Sequence, residues 1–400
     1  MEQTRQRAER EAPEQTPKGQ AGGGAPGGRR LCAQCRWLCR ALARADGFVR
    51  AHTPLVIGLC LLCMAAVATL KFRVYSPEQF YDANGVLNAV NAGGRADVDQ
   101  SFGFTIRAFL LLRGLFGALS LEQWGYVLLV PGALAFALLV WKARPQNLCA
   151  ALLLLCFSVL LPFFVFTVGK DMLQYLAFFL VALALLYIPA EWGKISAAAA
   201  LLAPVALLFR SYYALMIALM LLVFLVMRGY RAQRGVKRRA LLLCAAVCAV
   251  VAGLFLLRAL LPETADALFT IRSATNYAMG KDHTADKVIL DVLPFERSAP
   301  GFLVNYCVAA VRMLLPFELC ASPGDIPFVL FELLLVGLLA AGFVLSRRGG
   351  ALTAVYAAIA AFFLMSFFFE PDFGSWFRHQ AAAFPLLWLG VGRPRAAKEG

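Results

Sequence analysis

Apolar runs of membrane-spanning length alternate along the chain with short polar loops. A helix that crosses a bilayer needs roughly 20 mostly apolar residues, and fewer where the bilayer adapts. By this measure the sequence predicts ten spans, which cover residues 54–70, 124–141, 148–168, 172–188, 195–209, 212–227, 240–260, 326–345, 351–369 and 376–392. The pattern therefore indicates an all-α, polytopic integral membrane protein.

Two further apolar segments carry polar side chains that disfavour a simple crossing. Residues 104–119 contain two arginines, and residues 301–318 contain Asn305 and Arg312 on one helical face. An arginine at the bilayer centre costs about 2.5–3.5 kcal/mol on insertion scales. We predict that both segments form amphipathic or re-entrant helices at the outer interface. The alternative is that they are tilted extra spans buried inside the bundle.

The charges of the connecting loops predict the orientation of the chain. Six basic residues occupy the short loop 228–239, between two apolar runs. Short loops rich in Lys and Arg stay in the cytoplasm. Counting crossings from this loop puts the other basic connections on the same side: the arginines before residue 54, Lys142 with Arg144, Lys194, Arg347 with Arg348, and the tail from Arg393. We therefore predict cytoplasmic N- and C-termini.

The same pattern divides the chain into three regions. Residues 1–50 are predicted to be a disordered, basic cytoplasmic arm without a cleavable signal peptide. Residues 51–392 form one transmembrane helical domain, and residues 393–400 form a cytoplasmic tail. Two long loops, 71–123 and 262–325, fall on the outer side, whereas the inner loops are short. The working surface is therefore expected to face outward.

Composition supports a membrane location and narrows the function classes. The chain is 61% hydrophobic and 16% charged, with a mean hydropathy of +0.70, so lipid must be part of its solvent. Its net charge of +14 resides in the arm and the loops, where cations meet anionic lipid headgroups rather than nucleic acid. The abundance of Ala and Arg is typical of a GC-rich bacterial genome, so the expected location is the bacterial cytoplasmic (inner) membrane.

The cysteines do not predict a metal centre. Most of the eleven lie inside apolar runs, where cysteine behaves as a small hydrophobe. Cys32, Cys35 and Cys39 form a cluster, but a zinc site needs four ligands and only the distant His52 follows them. We therefore predict no bound metal or other cofactor from these residues.

Asp82, Lys170 and Asp171 are candidate site residues at outer loop positions. A carboxylate such as Asp82 near the membrane surface can act as a general base for a sugar hydroxyl, or as a metal ligand. Lys170 beside a helix N-terminus could bind a phosphate. The alternatives are that Asp82 is a solvated loop acid or helix cap, and that Asp171 caps a helix beginning at Met172 with Lys170 as its partner.

Arg210 interrupts the otherwise uncharged stretch 195–227. That stretch is too long for one spanning helix and fits two short ones with Arg210 at their outer junction. Arginine binds phosphate with two donors at once, which lysine cannot do. The adjacent Tyr212 and Tyr213 could flank a sugar ring, or belong to the aromatic belt at the membrane interface.

Residues 370–379 form the densest polar cluster, with two acids, one arginine and one histidine between two apolar runs. Asp372, Arg378 and His379 are candidates for a catalytic or phosphate-binding constellation. The alternative is a turn whose charges neutralise one another. In the second outer loop, Arg272 is a further candidate cation, although the charges around it are dispersed.

These segments resemble those of bacterial polysaccharide polymerases of the O-antigen (Wzy-type) and exopolysaccharide classes. The resembling residues are Gly169–Asp171 at the start of a span, Arg210–Tyr213, and Asp372–His379 before the final helix. The resemblance implies that outward-facing arginines hold polyprenyl-pyrophosphate-linked glycans, and that a glycan passes between lipid carriers. Carried over to this chain, it implies that Arg210 and Arg378 bind pyrophosphate.

A second resemblance is to the C-type glycosyltransferase fold, in which an acid early in the first outer loop is the catalytic base. Asp82 occupies that position, although the chain lacks a clear paired-acid motif there. The donor would be a polyprenyl-phosphate sugar, and this interpretation admits a divalent metal. A flippase or transporter of lipid-linked glycans is the non-enzyme alternative, but Glu332 is nearly the only acid deep in a predicted span and no internal repeat is seen.

The sequence thus predicts a membrane glycosyltransferase or polymerase for lipid-linked glycans in cell-surface polysaccharide assembly. The candidate catalytic residues are Asp82, Asp372 and His379, and the candidate substrate contacts are Lys170, Arg210, Tyr212, Tyr213, Arg272 and Arg378. Expected partners are the lipid-linked oligosaccharide, membrane lipids and other polysaccharide-assembly proteins.

Overall fold

The computed structural model describes residues 33–75, 80–94, 102–208, 210–233, 235–281, 288–289, 291–346 and 352–394. Most of the predicted arm, the tail beyond residue 394 and parts of both long outer loops lie outside the described residues. So do Arg234, Arg347 and Arg348, three of the cations that fixed the predicted orientation. The chain from Arg44 onward forms one compact unit.

The described chain is helical almost throughout. Its helices are α1 (Ala33–Ala51), α2 (Thr53–Val74), α3 (Tyr81–Asn91), α4 (Gly103–Phe116), α5 (Leu121–Lys142), α6 (Leu148–Leu160), α7 (Lys170–Tyr187), α8 (Glu191–Leu208), α9 (Tyr213–Ala232), α10 (Val236–Leu260), α11 (Pro262–Lys281), α12 (Ala299–Leu314), α13 (Ile326–Ser346), α14 (Thr353–Phe369), α15 (Phe373–Ala382) and α16 (Phe384–Val391). A wide π-helical turn, Leu161–Val165, continues α6, and two 3₁₀ turns, Phe317–Ala321 and Pro323–Asp325, precede α13. Strands β1 (Ala143–Arg144) and β2 (Arg393–Pro394) pair antiparallel.

Within the described residues, eight helical segments are long and apolar enough to cross a membrane, namely α2, α5, α6 with its π turn, α7, α8, α9, α10 and the segment Pro323–Leu345. Helix α14 is also apolar but has 17 residues. The all-α, polytopic architecture predicted from the sequence is therefore confirmed. The two predicted amphipathic segments also fold as helices, α4 and α12.

The last predicted span, 376–392, is divided into two helices. Helix α15 ends at Ala382 and α16 begins at Phe384, with Pro385 in its first turn. Proline lacks an N–H and clashes with the preceding turn, so it favours a helix start at this point over continuation. Both helices are largely buried, and the structure replaces one continuous crossing with a broken pair.

The predicted inner loops meet at one end of the helix bundle. Arg231, at the end of α9, donates to the Thr353 hydroxyl at the start of α14. The Glu191 carboxylate, at the start of α8, accepts from the Ala354 N–H at 2.9 Å. Strands β1 and β2 join the ends of α5 and α16 at this end too. Several of the basic loops that the sequence predicts on one side of the membrane therefore lie together at one end of the bundle.

Helix α14 lies at the centre of the bundle and α10 at its periphery. Fourteen of the residues of α14 are buried, and it packs against α9, α12 and α16. None of the residues of α10 is buried. Helix α14 therefore runs from the end of the bundle where the basic loops meet, at Thr353, to the end that carries Glu370 and His379.

Candidate functional site

Arg210 and Asp171 form a buried ion pair where three helices end or begin. Arg210 lies between α8 and α9, and Asp171 lies in the first turn of α7. The Arg210 Nη2 donates to Asp171 Oδ1 at 2.7 Å, and the two side chains are 5% and 13% exposed. The predicted junction of two helices at Arg210 is confirmed. Asp171 does not cap α7, because the helix already begins at Lys170. The Asp171 carboxylate faces Arg210 instead.

The charge of Arg210 is stabilised by its surroundings. Burial by itself would lower the pKa of the guanidinium, but the Tyr212 hydroxyl and the Asp171 carboxylate outweigh burial and raise this pKa above its ordinary value. The second donor, Nη1, reaches the Tyr212 hydroxyl at 2.8 Å and lies 2.8 Å from His379 Nε2. Arg210 is therefore a fixed cation whose described contacts are all inside the protein.

His379 bridges Arg210 to Glu370. Its Nδ1 contacts the Glu370 carboxylate at the end of α14, and its Nε2 contacts Arg210 Nη1. Guanidinium groups only donate hydrogen bonds, so Nε2 must accept, and the ring proton then lies on Nδ1 and is donated to Glu370. Both ring nitrogens are engaged, and Glu370 is only 3% exposed. His379 consequently holds Arg210 and Glu370 in place.

Arg378 occupies the open side of the same cluster. Its Nη1 donates to Asp82 Oδ2 at 3.0 Å, and its Nε lies 3.3 Å from Asp171 Oδ2. Arg378 and Arg210 lie close together, because both guanidinium groups contact the Asp171 carboxylate. The Arg378 and Asp82 side chains are 30% and 49% exposed, so this pair is the accessible part of the cluster.

Lys170 adds a third cation beside this pair. Its Nζ lies 3.6 Å from the centre of the Phe102 ring, at the start of α4. Its charge also interacts with Asp82, Arg210 and Arg378. The contact with the Phe102 ring restricts the flexible Lys170 side chain, so its ammonium group is held close to the site.

We call these residues the polar cluster: Asp82, Lys170, Asp171, Arg210, Glu370, Arg378 and His379. It contains three cations and three carboxylates, and with a neutral His379 its formal charges cancel. An anionic ligand therefore cannot bind there through net attraction alone. It must take over a cation that already has an internal partner.

Asp372 is placed next to the polar cluster but serves α15. Its carboxylate accepts from the Ser375 N–H at 2.8 Å and from the Ser375 hydroxyl at 2.7 Å, which caps the helix N-terminus. Its backbone bridges to Val288, and the Ile289 N–H donates to the Pro371 carbonyl at 2.8 Å. The predicted catalytic role of Asp372 has no geometric support, since both of its carboxylate oxygens are engaged and the residue is buried.

Arg272 belongs to a separate buried ion pair. It lies on α11 with Nε 3.5 Å from Asp291 Oδ1, and Ser273 donates to the same carboxylate. Burial lowers the pKa of the Arg272 guanidinium, while the charges of Asp291 and Glu370 oppose this shift. The cavity beside the pair measures about 10 Å³, which holds at most one water. In this structure Arg272 secures the second outer loop through Asp291, and its predicted contact with pyrophosphate stays a prediction.

The two tyrosines after Arg210 differ in their availability. Tyr213 is 1% exposed, and its ring lies 5.9 Å from that of Phe178. Tyr213 therefore packs inside the bundle in this structure, and its predicted contact with a sugar ring stays a prediction. Tyr212 is partly exposed, stacks on Phe369 at 5.0 Å and accepts from Arg210. Tyr212 orients the guanidinium of Arg210.

The final list of catalytic and substrate-contacting residues predicted from the sequence did not contain Asp171 or Glu370. Asp171 contacts two arginines, and Glu370 contacts His379. Both are acids at the ends of long apolar runs, where an unpaired carboxylate is costly. That position alone could have indicated that each carboxylate has a partner. Among the described residues no group of three or more His, Cys, Asp or Glu side chains is arranged to hold a metal ion.

Comparison of the chain with protein-family models, with curated proteins and with solved structures gives no match. The resemblance to polysaccharide polymerases and to C-type glycosyltransferases therefore stays a prediction carried by a few residues.

Proposed function

We propose that this protein is a glycosyltransferase of the polysaccharide-polymerase type. It would act on polyprenyl-(pyro)phosphate-linked glycans at the outer face of the bacterial cytoplasmic membrane, with both termini in the cytoplasm. The observation that carries this proposal is the Arg378–Asp82 pair, a half-open cation and carboxylate at one end of an apolar helix bundle. A lipid-linked substrate would place its phosphate at the headgroup level, where such a pair is accessible.

The cations suit a phosphate leaving group. As the bond between the sugar C1 and the phosphate oxygen breaks, its electron pair passes to the phosphate and negative charge accumulates there. Arg378 and Lys170 are the cations beside the open side of the polar cluster. Fixed cations in a partly dry site stabilise developing charge without reorganisation of solvent. Arg210 would support them indirectly by holding Asp171 against Arg378.

Asp82 is the carboxylate best suited to accept the proton of the acceptor hydroxyl. It is the most exposed acid of the polar cluster, whereas Glu370 and Asp171 are buried against His379 and Arg210. In the proposed step the hydroxyl proton passes to Asp82 and the hydroxyl oxygen forms the new bond to C1. The pyrophosphate or phosphate then leaves with the carrier lipid.

The same exposure of Asp82 favours a C-type glycosyltransferase as the second candidate. In that case the donor would be a polyprenyl-phosphate sugar, and one sugar would be added at a time. Arg378 and Lys170 would again stabilise the leaving phosphate, and Asp82 would again accept the proton. The two candidates differ in product: a polymer ladder in the first case and a glycan extended by one sugar in the second.

Complementation of a deletion strain tests the proposal. Cells that lack the protein should accumulate a short lipid-linked glycan, and the wild-type chain should restore the long surface polysaccharide. Arg378→Ala should not restore it at equal protein level. Arg312→Ala is the matched control, because Arg312 forms a comparable, partly exposed pair with Glu318 at 2.8 Å. Equal restoration by both variants would remove Arg378 from the proposed site.

A further inference from the structure

The accessible ion pair of the polar cluster joins two different parts of the fold. Arg378 belongs to α15, which follows directly on the central helix α14, whereas Asp82 lies in the first turn of α3. The other carboxylates of the cluster are held by buried partners: Asp171 by Arg210 and Glu370 by His379. Within the part of the chain that the structure describes, the Asp82 carboxylate has no such buried anchor, and its side chain is 49% exposed. It is the carboxylate that an incoming anion can replace at least cost.

Electrostatic balance makes this replacement necessary. The three cations of the polar cluster are matched by three carboxylates, so a phosphate placed beside Arg378 would lie close to the Asp82 charge as well. Like charges at this separation repel, and arginine donors engaged by one anion are unavailable to another. Exposed ion pairs contribute little to stability, so breaking this one is a small cost. A phosphate that accepts two hydrogen bonds from the guanidinium would offset it.

We propose that Asp82 is a resident counter-anion that the phosphate of the lipid carrier displaces from Arg378. This inference rests on the proposed function, because it assumes that a phosphate-bearing lipid is the ligand. Displacement leaves the Asp82 carboxylate without its arginine partner and beside the bound donor. The carboxylate then becomes free to take the proton of an acceptor hydroxyl. Binding of the donor thus releases Asp82 from Arg378, and Asp82 stays paired with Arg378 until a donor is present.

Binding of a short polyprenyl pyrophosphate tests the exchange. Farnesyl pyrophosphate is the probe, titrated at low ionic strength into the purified full-length protein in lipid nanodiscs. Asp82→Asn should bind it about fivefold more tightly than the wild type, since the competing charge is gone. Arg378→Ala should weaken binding at least about tenfold. Glu318→Gln is the control for loss of one exposed carboxylate from an arginine pair, and it should leave the affinity unchanged.

The outcomes separate the inference from the proposed function. If the wild type binds and Arg378→Ala weakens binding, but Asp82→Asn binds equally or less well, the displacement inference is wrong while the phosphate site stands. If the wild type does not bind the probe, or if Arg378→Ala has no effect, the phosphate site itself fails. Asp82→Ser, which lacks the charge but differs in shape from Asn, should repeat the tightening. Inorganic pyrophosphate titrated in parallel shows whether the lipid tail contributes.

Discussion

Arg210 Nη1 and His379 Nε2 lie 2.8 Å apart, although 169 positions separate the two residues in the chain. Because the guanidinium can only donate, the imidazole must accept at Nε2 and carry its proton on Nδ1, toward Glu370. A neutral histidine is thereby held between a cation and a carboxylate. This arrangement favours a structural role for His379 in the polar cluster, in place of the catalytic role predicted from the sequence.

The link between His379 and Glu370 predicts strongly coupled stability effects. His379→Ala leaves the Glu370 carboxylate buried without its donor, and such a loss costs about 1–3 kcal/mol or more for a charged group. Glu370→Ala removes the same contact from the other side. The double variant should therefore lose less than the sum of the two singles, with a coupling of about 0.5–3 kcal/mol. Thermal unfolding in nanodiscs measures this cycle, and strict additivity would contradict the contact.

Asp82→Asn should abolish transfer while retaining the donor. Loss of a general base removes a rate factor of about 10²–10⁴. The measurement is single-turnover glycan transfer with pre-bound donor, so that donor affinity does not enter the rate. Glu318→Gln again controls for loss of an exposed carboxylate. Near-normal transfer by Asp82→Asn would return the role of proton acceptor to Asp372 or His379.

Chelation distinguishes the two glycosyltransferase candidates. The polymerase hypothesis assigns neutralisation of the leaving phosphate to Arg378 and Lys170, so transfer should persist in excess EDTA. A loss of transfer that returns on adding Mg²⁺ or Mn²⁺ would favour the C-type candidate, with the displaced Asp82 as a ligand of the metal. Arg378→Ala, measured with and without the metal, shows whether the cation and the metal act on the same phosphate.

Cysteine labelling in intact cells tests the orientation of the bundle. In a chain otherwise free of cysteine, Cys320 or an introduced Ser211→Cys should react with an impermeant maleimide, since both positions are exposed at the predicted outer side. Lys237→Cys, in the basic loop, should react only after the cells are opened. The reverse pattern would place the polar cluster in the cytoplasm and exclude a substrate presented at the outer face.

Local sequence patterns predicted the spans because hydropathy and loop charge are properties of short segments. They also gave the junction at Arg210, where one charge interrupts a long apolar stretch. The contacts of Asp171 with Arg210 and Arg378 could not be predicted in this way, since helix packing alone sets which loop ends meet. The break at Ala383 did have a local signal in Pro385, which the apolar run around it obscured.

The position of α14 at the centre of the bundle gives the polar cluster two unequal walls. Glu370, Arg378 and His379 follow directly on a helix that is enclosed by protein on nearly all sides. The opposite wall is α3, a helix of 11 residues that presents Tyr81 to the surroundings at 83% exposure. If the proposed function holds, the glycan would lie on the more exposed α3 side, and the phosphate would lie against the cations that follow α14. The buried wall would then bind the phosphate that carrier lipids share, and the exposed wall would leave room for sugars of differing size.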